Sequence, residues 1–279
     1  MILSGKKTCM VLAVCVLTIS SGAQENIMDF DNSLKFARYL KSTNQYRFAS
    51  EEYERLNFLW PGNTSVILEM VQTYRFNNQC DKLEASFDLL KKNLLRVDPS
   101  NAAREYLAFA LTCRSDSEKF FEISSLLRSG ERCFYELGHF WVTQKYDSAF
   151  NYNRNNADLI KEEHNYLFQL TCDFEHEKYK SPALGLVMSA IIPGSGKLYS
   201  KRTGDALISF LFVSTNAYAS YRAFNRKGIK SVNGWIFGSL AFSFYSANLY
   251  GSAKAAKRYN DDLRTRYQNN AENYIYTSF

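Results

Sequence analysis

The sequence predicts an all-α fold, and three observations lead to this class. Apolar residues recur at spacings of three, four and seven, which is the period of a helix; Leu34, Ala37 and Leu40 are an example. Few residues break helices, since the 279 residues include 4 Pro and 13 Gly. Two long, weakly polar apolar segments, at about 206–224 and 234–253, predict a pair of long helices near the C-terminus.

Segment 1–23 is predicted to be a signal peptide. Lys6 and Lys7 form a positive start, residues 9–19 are apolar, and small residues precede the expected cleavage site. Two alternatives stay open: a lipoprotein modified at Cys15, and an uncleaved anchor, although about 11 apolar residues are too few to span the ~30 Å hydrocarbon core. We therefore expect a chain of the bacterial cell envelope whose N-terminal part lies in the periplasm.

Export changes how the cysteines are interpreted. Four of them follow the leader, an even number in an oxidising compartment: Cys80, Cys113, Cys133 and Cys172. Cys80 and Cys113 sit at the same kind of turn between helices, one repeat apart, so a disulfide between them is one of two interpretations. The alternative is that all four are half-buried thiols on helices.

Residues 29–150 are predicted to form a repeated array of helical hairpins. Residues 46–53 align with 80–87 at an offset of 34, and Pro61 and Pro99 close the first two units. This period, with the pair Tyr46 and Ala49, resembles the tetratricopeptide repeat. The first helices lack the usual Trp-x-x-Leu-Gly pattern. The resemblance implies a surface that binds a protein or peptide partner, and the alternative is an array that only supports the membrane region.

Two flanking regions are less regular. Residues 151–180 are predicted to contain a capping helix at 157–174 and then a charged linker. Residues 261–279 are predicted to be a polar tail.

Residues 181–260 are predicted to form a membrane-associated helical hairpin. Its two apolar segments of about 20 residues reach ~30 Å at 1.5 Å per residue, just enough to span a bilayer. Lysine, arginine and aromatic residues gather at their ends, as at a membrane interface. A pair of buried helices in a soluble domain remains the alternative.

Small and amide residues suggest how these helices pack. A ridge of small residues spaced by four lets a second helix approach closely, and it also predicts self-association: Ser239, Ser243, Ala247 and Gly251. Asn216 and Asn248 are costly in lipid, so we expect them to face the partner helix, where a contact with each other is one option.

An ordered set of residues surrounds the turn before the first apolar segment: Pro193, Gly194, Gly196, Tyr199, Gly204 and Asp205. Together with Asn248, Gly251 and Asn260 it resembles a C-terminal P-G-x-G-x-x-Y membrane hairpin found behind tetratricopeptide-like repeats in uncharacterised bacterial envelope proteins. Ser200 and Lys201 stand where this family often has Gly. The resemblance implies where the chain is placed, and it implies no reaction.

The sequence predicts no catalytic, cofactor or metal site. Gly194-Ser195-Gly196-Lys197 fails the phosphate-loop pattern, because Ile191 stands at the first glycine and Leu198 follows the lysine. The three histidines lack the H-E-x-x-H spacing, and no G-x-S-x-G elbow is present. The net charge of +6 is spread along the chain, which argues against a nucleic-acid partner.

These patterns predict a non-enzymatic, membrane-anchored scaffold whose periplasmic repeats bind a protein partner. One alternative makes the hairpin the active part, as a membrane assembly or insertion factor or a small pore. A second alternative is a soluble, periplasmic, all-helical protein.

Overall fold

The computed structural model describes residues 28–93, 97–116 and 118–279, and the predicted signal peptide lies outside these residues. The described chain is 83% helix and contains no strand, so the predicted all-α class is confirmed. It divides into two compact units. One ends at His139 and also contains Phe279, and the other runs from Phe140 to Ser278.

The first unit is built from consecutive helices joined by short turns. Its helices are α1 (Phe30–Ser42), α2 (Tyr46–Leu59), α3 (Thr64–Phe76), α4 (Leu83–Asn93), α5 (Pro99–Thr112), α6 (Lys119–Ser124) and the start of α7 (Ser129–Val142). Side-chain caps explain where three of them begin. Asp29, Asn63 and Asp98 each accept a hydrogen bond from a backbone N–H in the first turn of the helix that follows.

The same turn geometry recurs after every second helix. In the first turn, Asn44 N–H donates to Lys41 O over 3.1 Å and Gln45 N–H donates to Leu40 O over 2.9 Å, which is a Schellman cap. Each such turn holds one non-glycine residue with positive φ: Asn44, Asn78, Arg114 and Gln144. The helical hairpin is therefore a true structural repeat, which continues into α8 (Tyr146–Asn155).

The buried positions follow the repeat as well. Tyr53 in α2, Phe87 in α4 and Phe120 in α6 are all buried, at separations of 34 and 33 residues. Each large ring fills the same place between one hairpin and the next. Because a single hairpin cannot cover its own apolar face, the hairpins are stable only when they stack on one another.

Ion pairs link the first helix of each hairpin to the first helix of the next. The pairs are Arg38–Glu69 at 2.6 Å, Arg75–Glu105 at 2.7 Å and Arg104–Glu131 at 2.8 Å. Burial alone would raise the pKa of Glu69, but hydrogen bonds from Arg38 and Tyr53 outweigh it and lower the pKa below its usual value. This carboxylate therefore stays ionised while it joins three helices.

The second unit combines short helices with two long ones. After α8 come α9 (Ala157–Glu163), α10 (Asn165–His176), α11 (Pro182–Ile191), α12 (Ser195–Tyr199), α13 (Thr203–Lys227) and α14 (Val232–Thr277). The capping helix predicted as one segment is two helices, because His164 leaves helical geometry between them. None of the helices in the described ranges is both long enough and apolar enough, by mean hydropathy, to cross a membrane.

Helix α14 does not end with its apolar segment. It is 46 residues long, so the segment predicted to be a polar tail is helical as far as Thr277. Leu263, Ala271 and Ile275 are buried, and Gln268 Nε2 donates to Trp141 O over 2.9 Å. The chain from Val232 to Thr277 contains no Pro, and its apolar residues keep a helical spacing, so nothing stops the helix.

The structure places a disulfide between Cys80 and Cys113, whose Cα atoms are 5.5 Å apart. Cys80 begins a short 3₁₀ turn before α4, and Cys113 is the C-cap of α5. The bridge therefore joins the turn of the second hairpin to the turn of the third. Cys133 and Cys172 are free thiols.

We predict that the double variant Cys80→Ser/Cys113→Ser loses about 3–4 kcal/mol of unfolding free energy, because the bridge closes a loop of roughly 34 residues. Denaturant unfolding followed by circular dichroism measures this loss. Cys172→Ser, at a partly buried free thiol, is the matched control and stays near wild type. If dithiothreitol leaves the wild-type transition unchanged, the bridge contributes no stability.

We predict that Gln144→Gly stabilises the protein by about 0.5–1 kcal/mol. The left-handed conformation destabilises a residue that has a side chain by roughly 1–2 kcal/mol, and glycine avoids this cost. Glycine loses more backbone entropy on folding, so only part of that free energy is gained. Thermal unfolding measures the change. Ser148→Gly, at an exposed position inside α8, controls for glycine itself and should cost about 0.5 kcal/mol. Equal effects of the two substitutions would refute the argument.

Candidate functional site

The residues of the P-G-x-G-x-x-Y pattern meet where α11 and α12 pack on α14. Helix α11 begins at a Ser181 cap with Pro182 in its first turn, and it ends at Ile191. Pro193 cannot continue the helix, and Gly194 follows with a φ of +90°. We call Pro193–Gly196 the glycine turn; it reverses the chain within four residues so that α12 lies back on α11.

Gly194 is required by both conformation and space. Its positive φ disfavours any side chain, and an added Cβ would lie 2.2 Å from Ala206 O in α13. Its N–H donates to Asn248 Oδ1 over 3.1 Å. The backbone of the turn is therefore pinned between α13 and α14.

Gly196 allows α12 to contact the backbone of α11 directly. An added Cβ would lie 1.8 Å from Gly185 O. Gly196 N–H donates to Ser189 Oγ over 2.9 Å. Since the N–H groups of Gly194 and Gly196 both donate to side chains of the same unit, the turn does not present them to a phosphate, as a P-loop would.

Two serines extend this network into α14. The Ser189 and Ser252 hydroxyls are 2.6 Å apart and both are buried. An added Cβ on Gly185 would lie 3.2 Å from Ser252 O, so α11 and α14 run close together at this point. Sequence reasoning missed Gly185, Ser189 and Ser252, although Gly185 and Ser189 are spaced by four, as small residues are in a close helix crossing.

Asn248 is the amide that satisfies the glycine turn. It is 2% exposed, and it accepts from Gly194 while its Nδ2 lies 3.5 Å from Ser189 O. Asn216 does not meet it, because its Nδ2 donates to Phe212 O in its own helix over 2.7 Å. Asn216 and Asn248 therefore do not bond each other, and Asn248 bonds to the backbone of the folded glycine turn.

The ends of the site are tied by Tyr199 and Asn260. Asn260 forms two hydrogen bonds with the backbone of Lys180, at 2.7 and 2.9 Å. Tyr199 OH accepts from Ser181 N–H over 3.1 Å, and the Lys180 ammonium lies 4.6 Å from the centre of the Tyr199 ring. These contacts fix the start of α11 against α12 and α14.

Two residues of the pattern have a smaller structural role. An added Cβ on Gly204 would meet nothing within 4 Å. Asp205 pairs with Arg202 at 2.6 Å in the first turn of α13, where a negative charge favours the helix N-terminus. Neither residue takes part in the network around the glycine turn.

Helices α13 and α14 pack through a different face from the predicted ridge. Ser239, Ser243 and Ala247 are exposed, and Gly251 lies against the Lys197 side chain. The inward face follows alternating steps of four and three: Gly234, Gly238, Ala241, Tyr245, Asn248, Ser252 and Ala255. A strict spacing of four drifts by about 40° per step around a helix, whereas steps of four and three keep one face inward.

Close approach occurs at the end of this helix pair that lies next to the connection between the two helices. Ser220 Oγ donates to Gly234 O over 2.8 Å, and Ser220 Oγ would lie 3.0 Å from a Cβ on Gly238. Further along, the rings of Phe212 and Phe244 are in contact with centroids 5.1 Å apart. The pair Gly234 and Gly238 is thus where the backbones approach.

The outer surface of this region is strongly apolar. Ile191 is 77% exposed and Phe242 is 72% exposed. Many other large apolar side chains of α11, α13 and α14 are exposed as well, among them Leu184, Val187, Leu207, Leu211, Trp235 and Ile236. Such an extent of exposed apolar surface is unusual for a soluble monomer and indicates an interaction surface.

A cleft of about 330 Å³ opens between α13 and α14 beside the glycine turn. Lys197 reaches into it from α12, and its ammonium donates to Ser209 Oγ over 2.6 Å. The cleft combines a polar end with apolar walls, so it differs from the apolar surface around it.

No family model, no curated protein and no solved structure matches this chain.

We predict that Gly196→Ala destabilises the second unit by about 2–3 kcal/mol, because the added Cβ would overlap Gly185 O and the contact atoms are backbone. Gly204→Ala is the matched control. It adds the same methyl group in open space, and it should be neutral or stabilising by up to about 1 kcal/mol. Thermal unfolding of the two purified variants measures both, and equal stability would show that α12 does not pack as described.

Proposed function

We propose that this chain is a non-enzymatic membrane-anchored scaffold. In this proposal residues 181–260 hold the chain in a membrane, and the helical repeats bind a protein partner. The observation that carries the proposal is the apolar surface of α11, α13 and the first half of α14, since such side chains face water at a high free-energy cost.

The distribution of polar groups supports membrane placement. Asn248, Ser189, Ser252 and Ser220 are buried and form hydrogen bonds among α11, α13, α14 and the glycine turn. These residues lower the mean hydropathy of their helices, although their polar atoms are bonded within the protein and do not face the solvent or lipid around it. Thr215 Oγ1 donates to Leu211 O in its own helix, as lipid-exposed polar groups must.

Aromatic and basic residues at the ends of the helix pair also support it. Tyr218, Tyr221, Trp235 and Tyr250 are exposed near the ends of the apolar segments. Basic residues flank them in the connection between the helices and beyond the second segment: Arg226, Lys227, Lys230, Lys254, Lys257 and Arg258. Rings and long basic side chains at both ends match the two interfaces of a bilayer.

Periplasmic placement of the repeats is supported by the Cys80–Cys113 disulfide, because such bridges persist in oxidising compartments. A partner site on the repeats is supported by exposed rings on the first two helices. Phe36, Tyr39, Phe48 and Phe58 are all more than half exposed. Aromatic side chains are enriched where proteins bind one another.

We predict that alkaline carbonate leaves the full chain in the membrane pellet, and that Leu211→Glu/Phe242→Glu moves it to the soluble fraction. A charge in the middle of the apolar segments costs about 2.5–3.5 kcal/mol for each residue in a bilayer. Fractionation of expressing cells, followed by immunoblotting, measures the split between pellet and supernatant.

Phe48→Glu/Phe58→Glu is the matched control, because it places the same charges on exposed rings of the repeats. It should stay in the pellet with the wild type. Release of the wild-type chain by carbonate would refute membrane anchoring and favour a soluble protein whose apolar surface is covered by another protein.

A further inference from the structure

The cleft between α13 and α14 has one polar end and one apolar end. Lys197, Ser209 and Asn248 line the polar end, and Ile208, Phe212 and Phe244 line the apolar end. Its volume of about 330 Å³ lies at the small end of ligand-binding clefts, which span roughly 300–1,000 Å³. The cleft therefore has room for one small amphiphile.

The polar end carries a positive charge without an acidic partner. Among the described residues Lys197 forms no ion pair, and the hydrogen bond of its ammonium goes to the neutral Ser209 hydroxyl. A half-buried cation beside apolar walls is costly unless an anion joins it. Two nearby basic residues have partners of another kind: Arg202 forms an ion pair with Asp205, and the Lys201 ammonium lies over the Tyr259 ring.

Gly251 explains how Lys197 reaches the cleft. A Cβ added at Gly251 would lie 3.2 Å from Lys197 Cε and 3.4 Å from its Nζ. The aliphatic stem therefore crosses the surface of α14 at the one residue there without a side chain. The ammonium is held at the mouth of the cleft, 2.6 Å from Ser209 Oγ in α13.

The apolar end is lined by side chains from both helices. The Phe212 and Phe244 rings are in contact across the two helices, and Ile208 and Ala247 also line the cleft. An apolar chain that enters beside Lys197 would lie along these side chains. A single chain suits this narrow space better than the two chains of a phospholipid.

We propose that this cleft binds a long-chain fatty acid, with its carboxylate paired to Lys197 and its chain against Ile208, Phe212 and Phe244. One ammonium neutralises one carboxylate, and the Ser209 hydroxyl supplies a second hydrogen bond to it. The inference deepens the proposed function and rests on it in one respect, since the surrounding membrane would supply the ligand.

The test uses the purified full chain in nanodiscs of phosphatidylcholine and measures binding of radiolabelled palmitate. Hexadecanol, which has the same chain without the charge, is titrated in parallel. We expect palmitate to bind at least 10-fold more tightly than hexadecanol. We also expect Lys197→Met to lose this preference, whereas Lys201→Met retains it. Equal affinities for palmitate and hexadecanol, or an unchanged preference in Lys197→Met, would overturn the proposal.

A second variant keeps the test independent of Lys197. Ala247→Phe fills the cleft from an exposed position and leaves the lysine in place, so we expect it to lose palmitate as well. Nanodiscs that contain phosphatidylglycerol distinguish two sources of the anion, a free fatty acid and a phospholipid headgroup. If phosphatidylglycerol competes with palmitate at equal mole fraction, the cleft binds a phospholipid headgroup and the fatty-acid proposal is refuted.

Failure of this inference is separate from failure of the anchoring proposal. Lys197→Met should remain in the carbonate pellet with the wild type, because it removes a charge that lies against the helix pair. Pellet retention without palmitate binding refutes the ligand alone, whereas release of the wild-type chain refutes the anchor alone.

Discussion

The second unit depends on the hydrogen bonds that Ser189 and Asn248 make to the glycine turn. Breaking a helix with Pro193 and Gly194 leaves buried backbone N–H groups without helical partners, and each such group is costly in an apolar setting. Asn248 accepts from Gly194, and Ser189 accepts from Gly196. Because these acceptors lie on α14 and α11, the turn can fold only when both helices are in place.

That constraint connects the turn to the cleft. Helix α12 begins within the turn, at Ser195, so the turn sets the direction in which Lys197 leaves the backbone. The stem of Lys197 then needs a helix surface without a side chain, which Gly251 provides. The glycines of this region are thus explained by contact distances, and a positive φ is needed at Gly194 alone among Gly185, Gly194 and Gly196.

The repeats are held together in a different way. Large rings such as Tyr53 and Phe87 fill the space between hairpins, and Arg75–Glu105 pairs neighbouring first helices with both side chains nearly buried. A buried ion pair adds little net stability against its desolvation cost, but it penalises a shifted register, in which one charge would stay buried and unpaired. The ring positions specify the spacing, and the charges specify which helices are neighbours.

The sequence by itself determined the helical class, the turns near Asn44 and Pro61, the repeat of 34 residues and the break at the glycine turn, because these depend on local spacing and on residues that stop helices. The tertiary structure decided the rest. Asn248 could bond Asn216 or backbone, and α14 could present either of two faces, at equal local cost. The position of α11 decides that Asn248 accepts from Gly194. It also decides that Ser252, and not Ser243, lies on the buried face of α14, where it bonds to Ser189. The course of α14 to Thr277 depends in the same way on long-range contacts such as that of Gln268 with Trp141.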